Sequence, residues 1–183
     1  MLKLLLAVAI ASASLPTIAQ TFEITSADIE SGKPIPDKFV FSGFGCNGKN
    51  VSPAVSWKNA PAGTKSFALM VHDPDAPTGG AGFWHWVVVN LPVSVTSLAQ
   101  GVGTLEGRDL PQGARQIHND FGTSGWGGPC PPAGDTPHRY RFTVYALGVD
   151  KLNLPDNATA SLSGFMINMN AIGKASFTAL YGR

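Results

Sequence analysis

Charge is scarce in this sequence, and the two signs nearly cancel. The 183 residues include 13 lysines and arginines and 12 aspartates and glutamates, which together make up 14% of the chain. Nucleic-acid binding needs a basic surface that neutralises many phosphates, so this balance excludes nucleic acid as a partner class. The hydrophobic fraction of 44% argues against disorder and suits one compact domain.

Several common catalytic and metal-binding signatures are also absent from the sequence. Its two cysteines have neither zinc-ligand spacing nor a CxxC pattern, and neither HExxH nor GxSxG occurs. Gly79, Gly80 and Gly82 precede no helical pattern, so they do not form a phosphate-cradling loop. The sequence therefore indicates no cofactor and no metal site of a standard pattern.

The sequence lacks an apolar run of the roughly 20 residues that span a membrane. Its first stretch, MLKLLLAVAIASASLPTIAQ, has one positive charge, a short apolar segment at 4–10 and then small residues. This order is typical of a secretory signal peptide, with cleavage after Ala19 favoured over cleavage at Ala13. We predict a signal peptide over 1–19, a single domain over 20–183 and an exported, periplasmic or secreted protein. A buried N-terminal helix or a membrane anchor stays open.

The two cysteines, Cys46 and Cys130, both lie in segments rich in turn residues. An oxidising compartment would allow them to pair, so the predicted export favours a Cys46–Cys130 disulfide. Two free thiols are the alternative.

Glycine and proline are abundant, with 21 and 14 residues, and they separate short hydrophobic runs. This pattern favours a β-rich fold over a helical bundle. We predict strands at 38–42, 54–57, 65–72, 84–91, 139–147 and 175–181. The run at 65–72 is apolar at both alternating positions apart from its ends, which predicts a central strand covered on both faces.

One segment near the C-terminus, 158–170, has helical spacing. Its large apolar residues recur every three or four positions, at Leu162, Phe165, Met166 and Met169. With Asp156 and Asn157 before it, we predict an amphipathic helix, capped near its start, whose apolar stripe packs in the core. The predicted fold class is therefore mostly antiparallel β with one helix near the C-terminus.

Chemistry-bearing side chains concentrate between positions 72 and 138. They include His72, His85, His118, His138, Asp73, Asp75, Asp120 and Asp135. Alternation along HRYRFTVYA places His138 and Tyr140 on one strand face, and the same reasoning puts His85 with Val87 and Val89. Polar residues at strand ends with apolar residues behind them predict a pocket. We expect a structural role for His72 and a solvated His118.

Two long stretches carry a family resemblance. FALMVHDPDAPT followed by His85, and GGPCPPAGDTPHRYRFTVYAL, resemble the two signature blocks of the phosphatidylethanolamine-binding protein family. SPAVSW, FWHWVVVNLP and NDFG further suggest its bacterial, Raf-kinase-inhibitor-like branch. The resemblance covers about residues 22–181. It implies a Greek-key β-sandwich of antiparallel sheets with peripheral helices. This agrees with the mostly antiparallel β fold predicted from the residues.

The resemblance also implies a small pocket for phosphate-like anions, including phospholipid head groups. The residues that match the family's pocket are Asp73, Asp75, His85, His138 and Tyr140, with Pro77 and Pro131 in the bordering loops and Asp120 as a further candidate. We expect Asp73 to pair with His85 and to favour its protonated imidazole. Ala76–Pro77 is a candidate cis peptide bond.

Three functions stay open at this point. The favoured one is a non-enzymatic binding protein for a phosphate-containing small molecule or a phospholipid head group. Family resemblance adds modulation of a protein partner such as a kinase or protease, and a homodimer is not excluded. The alternatives are a hydrolase that uses a metal held by the Asp and His cluster, and an interaction domain whose pocket is vestigial.

Overall fold

The computed structural model describes residues 20–183. The predicted signal peptide and its cleavage site at Ala19 lie outside the described residues. Within 20–183, no helix is long and apolar enough to cross a membrane. The elements are β1 (Glu23–Thr25), a 3-10 helix (Asp37–Phe39), β2 (Ser42–Gly43), β3 (Cys46–Asn47), β4 (Val55–Lys58), β5 (Ser66–Asp73), β6 (Phe83–Pro92), β7 (Ser97–Leu98), β8 (Arg115–Gln116), β9 (His138–Leu147), α1 (Ala160–Asn170) and β10 (Ala171–Tyr181).

Two antiparallel sheets form the body of the protein. The larger sheet has five strands in the order β10-β9-β5-β6-β8, and the smaller has three in the order β1-β4-β7. A separate hairpin pairs β2 with β3. The mostly antiparallel β fold with one helix near the C-terminus is confirmed.

The larger sheet is covered on both faces, and β5 lies at its centre. Phe67, Leu69 and Val71 face the smaller sheet, where they pack in one core with Trp57 of β4 and other buried residues. The alternate residues of β5, Ala68 and Met70, pack in a second core beneath α1. The residues of β5 are apolar at both sets of alternating positions because both faces of the strand are buried, as the sequence predicted.

The strand predicted at 38–42 is wrong except at Ser42, where β2 begins. Residues 37–39 form a 3-10 turn after Pro36, in which the Phe39 N–H donates to the Pro36 carbonyl. The backbone that follows bonds to loops, and the Phe41 N–H donates to the Pro129 carbonyl. The apolar character of this segment comes from burial of Phe39 and Val40 without strand pairing.

The helix is present, but its predicted buried face is wrong at three of its four positions; Met166 is partly buried and packs against the second core. Its N-cap is Thr159, whose hydroxyl accepts a 3.1 Å hydrogen bond from the Leu162 N–H. The buried positions are Ala160, Ser163, Gly164 and Ile167, whereas Leu162, Phe165 and Met169 are exposed. The helix packs through its small residues because the Met70 side chain occupies the space beneath Gly164.

A β-bulge in β6 changes the face of His85. Val71 pairs with Trp86, but the next residue of β5, His72, pairs with Trp84, so His85 is the extra residue. Trp84 consequently packs on the helix side of the sheet and Trp86 on the sandwich side. The expectation that His85 shares a face with Val87 and Val89 is wrong, because simple alternation fails at a bulge.

The Cys46–Cys130 disulfide predicted from the sequence is present, and it closes a loop with a sequence separation of 84 residues. It joins the β2–β3 hairpin to the loop that precedes β9. The bond therefore fixes two segments that share no strand pairing with each other.

Removal of the disulfide should lower the free energy of unfolding by about 2–4 kcal/mol, because the unfolded chain regains the entropy of a long loop. The measurement is denaturant unfolding of the Cys46→Ala/Cys130→Ala double variant beside the oxidised protein. An unchanged free energy of unfolding would contradict this assignment.

Two glycines should respond in opposite ways to alanine. At Gly164, an added Cβ would lie 3.4 Å from the Met70 side chain, an ordinary contact, so Gly164→Ala should stabilise the protein by about 1 kcal/mol through helix propensity. At Gly128, a Cβ would clash with the Phe39 carbonyl oxygen, so Gly128→Ala should destabilise the protein by at least about 2 kcal/mol. Thermal unfolding of both variants checks the pair, and a destabilised Gly164→Ala would contradict the packing described for α1.

Candidate functional site

A cavity of about 260 Å³ opens where β5 ends and β6 and β9 begin. We call it the strand-end cavity. Its lining residues are Phe44, Asp73, Ala76, Pro77, Thr78, Phe83, His85, Phe121, Cys130, Pro131, Pro132, His138 and Tyr140.

Asp73 is a buried carboxylate in the wall of the strand-end cavity, with 3% of its surface exposed. Its Oδ2 lies 2.7 Å from Nδ1 of His138, which is equally buried. Its Oδ1 accepts a 2.9 Å hydrogen bond from the Asp75 N–H and so caps the turn around Pro74. Both oxygens of the carboxylate are therefore occupied within the protein.

Asp75 does not line the strand-end cavity, contrary to expectation. Its carboxylate faces outward and pairs with Arg139, at 2.6 Å from Oδ1 to Nη2 and 2.9 Å from Oδ2 to Nε. The hydrogen bonds from Arg139 hold the pKa of Asp75 at about 2. The two aspartates of the HDPDAP stretch therefore point to opposite sides of the cavity wall. Asp73 points inward and bonds to His138, whereas Asp75 points outward and bonds to Arg139.

His85 is not hydrogen-bonded to Asp73, so the predicted pairing is wrong. The Nδ1 of His85 donates instead to the Gly127 carbonyl at 2.6 Å, because the bulge in β6 turns the ring towards the loop at 125–128. Burial lowers the pKa of His85 to about 4, and the nearby charge of Asp73 offsets this only in part. The ring is therefore neutral near pH 7, contrary to the expected protonated imidazole.

Tyr140 completes the polar part of the wall. Its ring packs edge-on against His85, with centroids 5.1 Å apart, and its hydroxyl is fully buried. Among residues 20–183, neither the Tyr140 hydroxyl nor Nε2 of His85 has a hydrogen-bond partner. Burial and the negative charge of Asp73 raise the pKa of Tyr140, so the hydroxyl keeps its proton.

His138 has the opposite electrostatics to His85. Burial alone would lower the pKa of His138, but the hydrogen bonds and charges of Asp73 and Asp135 raise it above the ordinary value. The Asp135 carboxylate lies 3.4 Å from Nε2 of His138 at the outer side of the wall. When His138 is protonated, its charge cancels that of Asp73.

Three phenyl rings form the apolar rim, and none of them was predicted from the sequence. Phe44 and Phe121 stack at 6.0 Å between centroids, and Phe83 meets Phe121 edge-on at 4.7 Å. The rings come from the β2–β3 turn, the start of β6 and the loop after β8. No local pattern links these segments, so their meeting depends on the tertiary fold.

Two side chains outside the cavity hold the rim in place. Arg183 donates to the carbonyls of Pro131, Gly45 and Phe44 and thus ties two rim loops together. Asn119 accepts from the Phe121 N–H and donates to the Gly125 carbonyl. The loop that carries Phe121 and the carbonyl partner of His85 is therefore fixed from within.

The remaining predicted residues divide between the cavity and its surroundings. Pro77 and Pro131 line the cavity, as expected from their loops. Asp120 does not line it, because its Oδ2 accepts a hydrogen bond from the Trp84 N–H outside the wall. The Ala76–Pro77 bond is trans, since residues 20–183 contain no cis peptide bond.

The two other histidines also lie away from the cavity. His72 stacks on Trp84, at 4.0 Å between ring centroids, and its Nε2 lies 3.1 Å from the Ala81 carbonyl. His118 is exposed to solvent. Across residues 20–183, no group of three or more histidine, cysteine, aspartate or glutamate side chains is arranged to hold a metal ion.

Comparison with known proteins shows clear relatives. Residues 25–182 match the family model described as phosphatidylethanolamine-binding protein. The chain is 50% identical to the UPF0098 protein YbcL of Escherichia coli over 163 residues, which cover 89% of this chain and 88% of that protein. It is 38% identical, over 89% of this chain and 73% of the relative, to LppC of Mycobacterium tuberculosis, which is named as a candidate lipoprotein.

The fold agrees with a solved structure as well. The crystal structure of E. coli YbcL, described as a member of the mammalian PEBP family, superposes with a TM-score of 0.86. The match has 49% sequence identity and covers 88% of this chain and 98% of that chain.

Replacement of Asp73 by asparagine should lower the pKa of His138, because burial is then opposed by Asp135 alone. The raised pKa in the native protein contributes stability that is fully present below the ordinary histidine value and is lost as pH rises through the folded value. In Asp73→Asn, the stability that is lost as pH rises through the pKa of His138 should be smaller. Histidine ring proton shifts followed against pH measure the change.

The matched control is Asp75→Asn, which removes a neighbouring carboxylate that faces Arg139. It should leave the pKa of His138 much closer to its native value. Equal shifts in the two variants would contradict the assignment of Asp73 as the partner.

Proposed function

Since the chain belongs to the phosphatidylethanolamine-binding protein family, we propose that it is an exported, non-enzymatic binding protein whose strand-end cavity holds a small phosphate-bearing ligand. The ligand is a phosphate-containing metabolite or the head group of a phospholipid. Cavities of this size suit a small group, because drug-sized ligands occupy about 300–1,000 Å³.

One observation carries this proposal. His85 Nε2 and the Tyr140 hydroxyl are buried at the cavity wall and lack partners among residues 20–183, while the rest of the lining is mainly phenylalanine and proline. A buried polar atom without a partner costs about 1–3 kcal/mol, so a ligand that satisfies both atoms gains that energy back. A phosphate group offers several oxygens within the reach of one small site.

The local charge is compatible with an anion. Asp73 is the only carboxylate among the lining residues, and its two oxygens are already bonded to His138 and to the Asp75 N–H. Protonated His138 balances its charge, so an entering anion meets little net repulsion. The metal-assisted hydrolase alternative has no such support, because no cluster of three metal-ligating side chains lies within residues 20–183.

Export is supported by two features of the chain. The protein has a disulfide between Cys46 and Cys130, and disulfides form and persist in oxidising compartments. The N-terminal segment has the charge, apolar run and small residues of a secretory signal. An exported location would place the cavity in contact with membrane head groups or with soluble phosphate compounds outside the cytoplasm. Modulation of a protein partner remains part of the proposal without a surface assigned to it.

A titration of the histidine ring protons with inorganic phosphate and with phosphoethanolamine tests the proposal. Saturable shifts of both rings are expected between about pH 5 and 8, the range of ordinary histidine titration. A bound phosphate would change the hydrogen bonding at Nε2 of His85 and the charge near His138. His138→Ala should abolish the His85 shift, because the negative charge of Asp73 is then unbalanced and repels an anion. Tyr140→Phe should weaken binding by about tenfold through loss of one hydrogen bond to a charged group. His118→Ala, which alters an exposed ring outside the cavity, should change nothing.

The absence of saturable shifts with either compound over this pH range would contradict the proposal. Because His138→Ala leaves Asp73 buried without its partner, the folded state of that variant is checked by its amide spectrum. Tyr140→Phe retains the ring and supplies the test if His138→Ala does not fold.

A further inference from the structure

The two unpartnered atoms of the strand-end cavity differ in what they can do in a hydrogen bond. Nδ1 of His85 donates to the Gly127 carbonyl at 2.6 Å, so the neutral ring carries its proton on Nδ1 and Nε2 can only accept. The Tyr140 hydroxyl keeps its proton because burial and its interaction with Asp73 raise its pKa. It makes no hydrogen bond of normal geometry within residues 20–183, so it can donate to a ligand. The wall therefore presents one acceptor and one donor next to each other.

Burial keeps the His85 ring neutral, although most of the groups around it raise its pKa. The charge of Asp73 raises the pKa, and His72, which lies outside the cavity, lowers it. Tyr140 and His138 line the same cavity from β9. The loop at 127–128 contributes backbone groups, and Phe83 and Phe121 pack against the ring edges. The carboxylate of Asp73 raises the pKa of His85, but it is hydrogen-bonded to His138, and burial outweighs its effect on that pKa.

Phosphate groups differ in whether they can match an acceptor. A phosphodiester, such as the phosphate of an intact phospholipid, has only acceptor oxygens at neutral pH. A phosphomonoester that carries one proton has a P–O–H donor beside its acceptor oxygens, and its second pKa is about 6. Only the singly protonated monoester can donate to Nε2 of His85 while it accepts from the Tyr140 hydroxyl.

We propose that the strand-end cavity selects phosphomonoesters and inorganic phosphate in their singly protonated form over phosphodiesters. This inference rests on the proposed function and specifies its ligand class. The P–O–H group donates to Nε2 of His85, and a charged phosphate oxygen accepts from the hydroxyl of Tyr140. A diester in the same position has no proton to donate, so the lone pair of its oxygen would face the lone pair of Nε2. It would avoid this repulsion only if His85 took up a proton.

Calorimetric titration with two ligands of matched chemistry tests this selection. The probes are phosphoethanolamine, a monoester, and glycerophosphoethanolamine, a diester with the same amine. At about pH 6 the monoester should bind about tenfold more tightly or better, because the diester leaves a buried hydrogen-bonding atom unsatisfied. Above about pH 7 monoester affinity should fall by about tenfold per pH unit, with uptake of about one proton on binding, because the ligand must be protonated.

Three variants separate the roles of the wall. His85→Asn keeps a side-chain nitrogen that can donate to the Gly127 carbonyl but removes the ring acceptor, so the preference for the monoester should vanish. Tyr140→Phe should weaken monoester and diester alike and leave their ratio nearly unchanged. His118→Asn, a histidine substitution at an exposed site outside the cavity, should keep both affinities and the ratio.

The outcomes distinguish this inference from the proposed function. A diester that binds as tightly as the monoester, or a monoester affinity that stays constant between about pH 6 and 8, would overturn the selection while phosphate binding stands. If neither probe binds between about pH 5 and 8, both the selection and the proposed function fail. If His85→Asn does not fold, the ratio of monoester to diester affinity in the native protein decides, because the proton uptake is the same whether the ligand or the ring carries the proton.

Discussion

The architecture of the cavity depends on a single buried carboxylate. Asp73 lies at the end of β5, the central strand, where it is covered on both sides, and a charge at this place must be paired. One oxygen holds the His138 ring at the start of β9, and the other caps the turn that leads into the rim loop. The same carboxylate thus orients a ring of the wall and sets the path of the loop beside it.

Because Asp73 is committed to His138, the second histidine of the cavity has a different partner. His85 bonds to a backbone carbonyl, which fixes its tautomer without supplying a charge that would protonate the ring. The pKa values of the two histidines are therefore displaced in opposite directions, upward for His138 and downward for His85. This difference gives the cavity an ion pair of little net charge and, separately, a neutral acceptor next to a donor hydroxyl.

Strand-level features were predictable from the sequence, because they depend on local alternation. The double-sided burial of β5 and the common face of His138 and Tyr140 follow directly from residue types at successive positions. The partner of His85 was not predictable, since one extra residue in β6 reverses the alternation and no sequence signal marks it. Likewise, the exposed position of Phe165 depends on how closely Gly164 approaches Met70, which spacing along a helix cannot show. The phenyl rim consists of residues from three segments distant in sequence, so it could be recognised only from the tertiary structure.

The His85 ring in the strand-end cavity is neutral, and its Nε2 is an acceptor without a partner among residues 20–183. A long-range proton–nitrogen NMR correlation of the histidine rings at about pH 7, in the range where ordinary histidines change charge, tests it most directly. We predict the Nδ1–H tautomer for His85, with an Nε2 signal typical of an unprotonated nitrogen. A doubly protonated ring, or a proton on Nε2, would contradict the account.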